Sequence, residues 1–286
     1  MAEIDSLCHL DGTDGGGKNN RHILLLNPID SSMLESSSDK ILAILKPGES
    51  VLDVGGWACP FNRANYVLDA EPYETRGIYA SLGWKPYIGP KEESFSKSTW
   101  IQRDICSKEP WPFADKQFDW CICSHTLEDI RDPLWVCSEI SRVAKRGYIE
   151  TPSRLWETCR GLESDDVAGL AHHRWLIENT GPNRIRFWMK YHSMHSHWRF
   201  SFPPSFLPRL TEEEKMMVCW WEGKVEAEEM TIHDHGERAR FLADFVASRH
   251  QYPKAAYLLD SICQAGFRIR RRIRNRYWKI RYPENP

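Results

Sequence analysis

Through the middle of the chain, apolar positions come in short runs that end on polar residues. Val51-Leu52-Asp53-Val54 breaks at Gly55-Gly56. Then follow Tyr66-Val67-Leu68-Asp69, Trp100-Ile101-Gln102-Arg103-Asp104-Ile105, Phe118-Asp119-Trp120-Cys121-Ile122-Cys123-Ser124-His125 and Gly147-Tyr148-Ile149-Glu150-Thr151-Pro152. Such runs predict strands covered on both faces, as in a parallel sheet whose ligands collect outside the carboxyl ends of its strands. The polar endings would then share one rim. Glycine after the first strand lets backbone approach a ligand closely, although any buried parallel strand ending in a glycine turn reads the same way. Asp132-Pro133 predicts a helix start, Val136, Cys137, Ile140, Val143 and Ala144 follow a helical period, and Gly147 is read as its stop. Only about a dozen residues separate Gly55 from the second strand, too few for a full crossover helix, so that helix is expected to be missing or reduced to a turn.

The block Trp111–Asp119, its continuation Ser124-His125-Thr126-Leu127-Glu128-Asp129-Ile130-Arg131-Asp132-Pro133, and the stretch Glu139–Glu150 resemble the fourth strand, following helix and fifth strand of the class I S-adenosylmethionine-dependent methyltransferases. The resemblance spans roughly residues 45 to 152. It implies an α/β fold with a Rossmann-like, doubly wound, mostly parallel sheet, here carrying an appended α+β C-terminal region. Carried over residue by residue, it makes Asp53, Gly55 and Gly56 the turn beside the methionine end of S-adenosylmethionine. Asp69 becomes the acceptor for the ribose hydroxyls, Asp104 the neighbour of the adenine amine, and Ile105 the residue packing on the ring. Ser124 and His125 would lie where the methyl group leaves. The alternative for each strand-end aspartate is a carboxylate satisfying a nearby backbone amide. Two departures from the family pattern stand out: Gly56 is followed by Trp57-Ala58-Cys59-Pro60 rather than further glycines, and Asp129 occupies a position where the family often has histidine.

Beyond the sheet, Trp175-Leu176-Ile177 leads into Thr180-Gly181-Pro182-Asn183, after which Ile185, Phe187 and Met189 alternate with polar or charged neighbours apart from Trp188, and this predicts a hairpin within residues 173 to 191. Thr211-Glu212-Glu213-Glu214 is a capping box, from which a helix is expected to run to about Trp221. A second helix is expected over Glu237 to Arg249. The chain thus divides into a flexible segment 1–40, a methyltransferase-like core 41–152, an appended acceptor or cap region 153–266 and a basic amphipathic tail 267–286.

The densest chemistry follows the fifth strand: Glu150, Glu157, His172, His173 and the cluster His192, His195, His197. Histidine titrates near neutrality, so His125, His172 or His173, oriented by Glu150 or Glu157, would suit removal of a proton from a hydroxyl acceptor. The same side chains are also plain turn or core candidates. His172, His173, His192, His195 and His197 are in addition ligand types for a divalent metal, in a pattern that fits no established metal motif.

Composition narrows the picture. With 41% hydrophobic residues the chain is globular, no apolar run is long enough to span a bilayer, and the polar N-terminal stretch lacks the apolar centre of a signal peptide. Nine scattered cysteines without a Cys-x-x-Cys pair suit a reducing, cytoplasmic setting. Residues 267 to 286 hold seven arginines and one lysine against one glutamate, a net +7, which leaves −9 for the rest of a chain whose total is −2. Ile269, Ile273, Tyr277 and Ile280 recur there at helical spacing, describing a helix that lies on an anionic membrane surface or pairs with the acidic body, with nucleic acid the poorest fit. The expected function is methyl transfer to a small-molecule or glycan-type acceptor. A metal-dependent enzyme on the same fold, or a non-catalytic partner protein that has lost cofactor binding, are the alternatives.

Overall fold

The computed structural model describes residues 33–83 and 87–281. Among the described residues, nine strands carry the architecture: β1 (Val51–Val54), β2 (Tyr66–Asp69), β3 (Trp100–Gln102), β4 (Phe118–Ser124), β5 (Ala144–Pro152), β6 (Trp175–Gly181), β7 (Arg184–Met189), β8 (Met216–Glu222) and β9 (Glu226–Met230). They form a six-stranded sheet in the order β3-β2-β1-β4-β5-β8 and a three-stranded sheet in the order β6-β7-β9. The first five strands of the large sheet run parallel, and β8 closes its edge antiparallel to β5, pairing Gly147 with Trp221 and Pro152 with Met216. The chain moves outward one way from β1 and then returns to β4 on its other side. This reversal puts the topological switch point, where α/β sheets bind ligands, at the carboxyl ends of β1 and β4.

Both faces of the sheet are covered. On one side Met33, Ile41 of the helix Glu35–Ile44, Phe61, Ile88 and Phe95 pack over Val51, Val67 and Ile122. On the other, Val136, Ile140 and Val143 of the helix Pro133–Val143 join Trp111 and Phe113, with Ile177, Ile185 and Phe187 of the small sheet packed behind them. Asp132 caps that helix by accepting the Trp135 N–H, and Pro133 occupies its first turn.

The connection from β1 to β2 contains no helix, as its length predicts. The hairpin within 173 to 191 is present as β6 and β7, and the second expected helix runs from His235 to Arg249 with Asp234 as its cap. Two expectations are corrected. The capping box at Thr211 forms, but its helix ends at Lys215, and Met216–Glu222 is the edge strand β8. The run Met216-Met217-Val218-Cys219-Trp220-Trp221 has no helical period, and pairing with β5 buries Met216, Met217, Cys219 and Trp221. The region after residue 152 therefore contributes a strand to the large sheet. Gly147 is not a helix stop: the preceding helix ends at Val143, and Gly147 lies inside β5, where a Cβ would stand 2.0 Å from the Cys121 carbonyl oxygen. The segment boundary at 40 falls within the helix Glu35–Ile44, and Met33 is buried. The boundary at 267 falls within one helix, Lys254–Arg281. Residues 1–32 lie outside the described residues, and so does the side chain of Ile280. No described helix is long and apolar enough to cross a membrane.

Candidate active site

At the carboxyl ends of β1 and β4, Gly55, Gly56, Asp53, Phe61, Ser124 and His125 line a crevice of about 40 Å³, with Met33 as part of its wall. Gly55 has φ +76, and a Cβ there would lie 2.1 Å from Thr126 Oγ1; at Gly56 a Cβ would lie 2.2 Å from Asp53 Oδ2. The turn is glycine because β1 meets Thr126 on one side and its own aspartate on the other. Asp53 Oδ2 accepts the Phe61 N–H at 2.8 Å, and burial raises its carboxyl pKa to about 7.

Asp69 ends β2 as predicted. Its two oxygens accept the Trp57 N–H at 3.0 Å and the Glu71 N–H at 2.9 Å, and burial raises its pKa. Asp104 is half exposed in the turn after β3, where it accepts from Cys106 N–H at 2.9 Å and from Arg131 at 2.6 Å. Ile105 is buried in the core beneath, and its carbonyl accepts from the Trp111 indole.

On the opposite wall, Ser124 Oγ and His125 Nε2 are buried and make no hydrogen bond. His125 adopts φ 50, which turns its ring back between two acids. Nε2 stands 3.5 Å from Glu150 Oε1, and Nδ1 stands 3.7 Å from Glu128 Oε1. Burial lowers the imidazole pKa, but Glu150 and Glu128 outweigh it and raise it. Glu150 is fully buried and accepts from Leu34 N–H at 2.9 Å and from the Tyr148 hydroxyl, which tethers the segment before the first helix to the end of β5. Burial raises the Glu128 carboxyl to about 7.

A second group lies along the same rim. His173 is buried, and its Nδ1 pairs with Glu157 Oε1 at 2.7 Å; Glu157 Oε2 in turn accepts from Lys190 at 2.6 Å. Burial acts to lower the His173 pKa, and Glu157 reverses this, raising it to about 9. His173 Nε2 faces Asp129 Oδ1 at 3.7 Å, and the exposed His172 approaches the same oxygen to 4.0 Å. Ligand atoms of Asp129, His172 and His173 all lie within 4.8 Å of one another. The histidines at 192, 195 and 197 do not join them. His195 Nδ1 instead accepts the Ala168 N–H and His197 Nδ1 the Arg199 N–H, and among the described residues the side chains brought together are Asp129, His172 and His173. The sequence reading also missed Glu128 and Lys190. Glu128 directly follows the Ser124-His125 loop and could have been found there, whereas Lys190 meets Glu157 across 33 positions with no spacing to reveal it.

Residues 88–149 match the family model described as a methyltransferase domain. Among solved structures, the chain is similar to an S-adenosylmethionine-dependent methyltransferase from Mesorhizobium loti at 17% identity, covering 53% of this chain and 63% of that one with a TM-score of 0.30. It is also similar to a methyltransferase from Aquifex aeolicus at 21% identity, with coverage of 48% and 75% and a TM-score of 0.27. A third likeness is to a phosphoethanolamine N-methyltransferase of Haemonchus contortus at 16% identity, with coverage of 42% and 28% and a TM-score of 0.30. The chain spans about half the length of several further structures it matches, 53%, 51% and 45%. No curated protein matches it.

Proposed function

We propose that this protein transfers a methyl group from S-adenosylmethionine to a small-molecule or glycan-type acceptor, with His125 removing the acceptor proton. The observation that carries the reading is the crevice itself, where a glycine turn faces the buried Ser124 Oγ, which makes no hydrogen bond, and the imidazole of His125, whose Nε2 stands 3.5 Å from Glu150. Buried polar groups ordinarily have partners, so Ser124 Oγ is suited to a ligand. When bound, S-adenosylmethionine supplies an electrophilic methyl group, and the chain's part is to align the acceptor and hold or remove its proton. Ser124 and Asp53 suit the methionine end, while each Asp69 oxygen retains a lone pair beyond its amide for a ribose hydroxyl. The space is the demanding point. At about 40 Å³ the crevice is far below the roughly 300 Å³ or more of ligand pockets, so binding requires part of its wall, such as Met33, to move aside.

Calorimetric titration of the full chain with S-adenosylmethionine tests this reading. One-to-one binding supports it, and no heat at saturating concentrations overturns it.

A second reading rests on the convergence of Asp129, His172 and His173. Glu157 holds the Nδ1 side of His173 and leaves Nε2 toward Asp129, the outer-shell arrangement that orients metal-bound imidazoles. Two imidazoles and one carboxylate with open positions suit zinc or ferrous iron. Metal analysis of protein purified without chelator or affinity tag tests it: about one ion per chain supports the site, and background levels remove it.

A further inference from the structure

The helix Lys254–Arg281 has 28 residues, among them Leu258, Ile262, Ile269 and Ile273 with relative exposures of 64%, 60%, 57% and 64%. At 100° per residue these four fall within an arc of about 60°, one continuous apolar row, and Tyr277 continues it a turn further on. Within the same bounds the sequence holds seven arginines and two lysines against Asp260 alone, a net +8, which leaves −10 for the rest of a chain whose total is −2. Arg270, Arg271, Arg272 and Arg274 are exposed and fall outside the apolar arc, while Arg276 sits at its border.

We propose that this helix lies flat on an anionic lipid surface. An apolar row flanked by arginines matches the headgroup boundary, where the row enters acyl chains and the guanidinium groups reach phosphate. Charge and burial together decide among the possible occupants. The protein's own acidic body does not cover the row, because its four aliphatic side chains remain more than half exposed. A second copy packed on the same row would bring the arginine-rich half against an identical one. Nucleic acid would satisfy the arginines and leave the isoleucines in water. An anionic membrane takes both.

The test is co-sedimentation of the full chain with phosphatidylcholine vesicles, with and without phosphatidylserine. The expected result is binding that requires phosphatidylserine, weakens as salt is raised, and falls about tenfold or more in I269D/I273D while I269L/I273L binds like the parent. Unfolding temperatures equal to the parent's establish that the aspartate variant is folded. Absence of binding at low salt overturns the proposal, as does undiminished binding by I269D/I273D, which would reduce the effect to charge alone. A dimer in sedimentation equilibrium that I269D/I273D dissociates assigns the row to a second copy and overturns it as well.

Discussion

The Asp53 carboxylate accepts the Phe61 N–H at 2.8 Å, and so the aspartate one residue before the end of the first strand also anchors the connection leaving it. Asp69 does the same from the second strand by holding Trp57 N–H. Between them the two aspartates brace a crossover that has no helix to stabilise it. The side chains that the methyltransferase pattern assigns to the cofactor therefore also hold the loop, and substitution tests must separate the two duties.

Asp69→Ala is expected to destabilise the protein, because it leaves the amides of Trp57 and Glu71 without acceptors. An unsatisfied buried group costs about 1–3 kcal/mol; both bonds are only partly buried and Glu71 is exposed, so a total loss of roughly 1–3 kcal/mol is expected in denaturant unfolding. Asp69→Asn keeps one acceptor oxygen and should lose about half as much. If Asp69→Ala unfolds like the parent, these hydrogen bonds are not carrying the loop.

Asp53 makes stability depend on pH. In the folded protein its carboxyl titrates at about 7, against 3.8 when exposed. Between about pH 4 and 7 the unfolded chain has already released the proton that the folded protein keeps, so stability falls as pH rises through that window, by up to the order of 4 kcal/mol. Asp53→Asn removes the titration while retaining an acceptor for Phe61. The gain of the variant over the parent in denaturant midpoints should be smallest below about pH 4, grow as pH rises and level off above about pH 7, and parallel pH profiles would refute the assignment.

How far the sequence was legible follows from the range of each interaction. The strands β1 to β5 and their polar endings were readable because continuous apolar runs and a switch to helical period are local signals. The missing crossover helix was readable from chain length alone. Met216–Glu222 reads as helix in the sequence because its cap is local, whereas its strand partners in β5 lie 64 to 76 positions away. Asp53 and Asp69 were legible as strand-end acids, but not as acceptors for Phe61 and Trp57, since loop conformation decides that. The histidines were found by type, yet their sorting, with His125 at Glu150, His173 at Glu157 and His195 at Ala168, depends on long-range packing.

Lys190→Met tests the buried charge chain. Glu157, fully buried, has its pKa lowered by His173 and Lys190 against the opposing effect of burial, and removing the lysine leaves it one cation short. Breaking a buried pair costs about 3–5 kcal/mol. Glu157→Gln together with Lys190→Met should recover part of the loss. No recovery in the double variant would mean that the pair does not couple.

The choice between proton removal and metal ligation rests on comparing His125 with His172. Both lie on one rim, but His125 is buried against the glycine turn whereas His172 is exposed beside Asp129. If His125 takes the acceptor proton, His125→Ala should lower turnover by about a hundredfold or more while leaving S-adenosylmethionine affinity and metal content unchanged, because a general base contributes roughly that factor to the chemical step. His172→Ala should then be nearly silent in turnover and stability, its side chain being in water. If the metal reading holds, the order reverses. His172→Ala and Asp129→Ala should each empty the site, since catalytic metals commonly rest on only three protein ligands, and turnover should return with added zinc in the parent treated with chelator but not in the variants. Turnover and metal content measured side by side on His125→Ala and His172→Ala separate the two, and full turnover in both variants would exclude each mechanism.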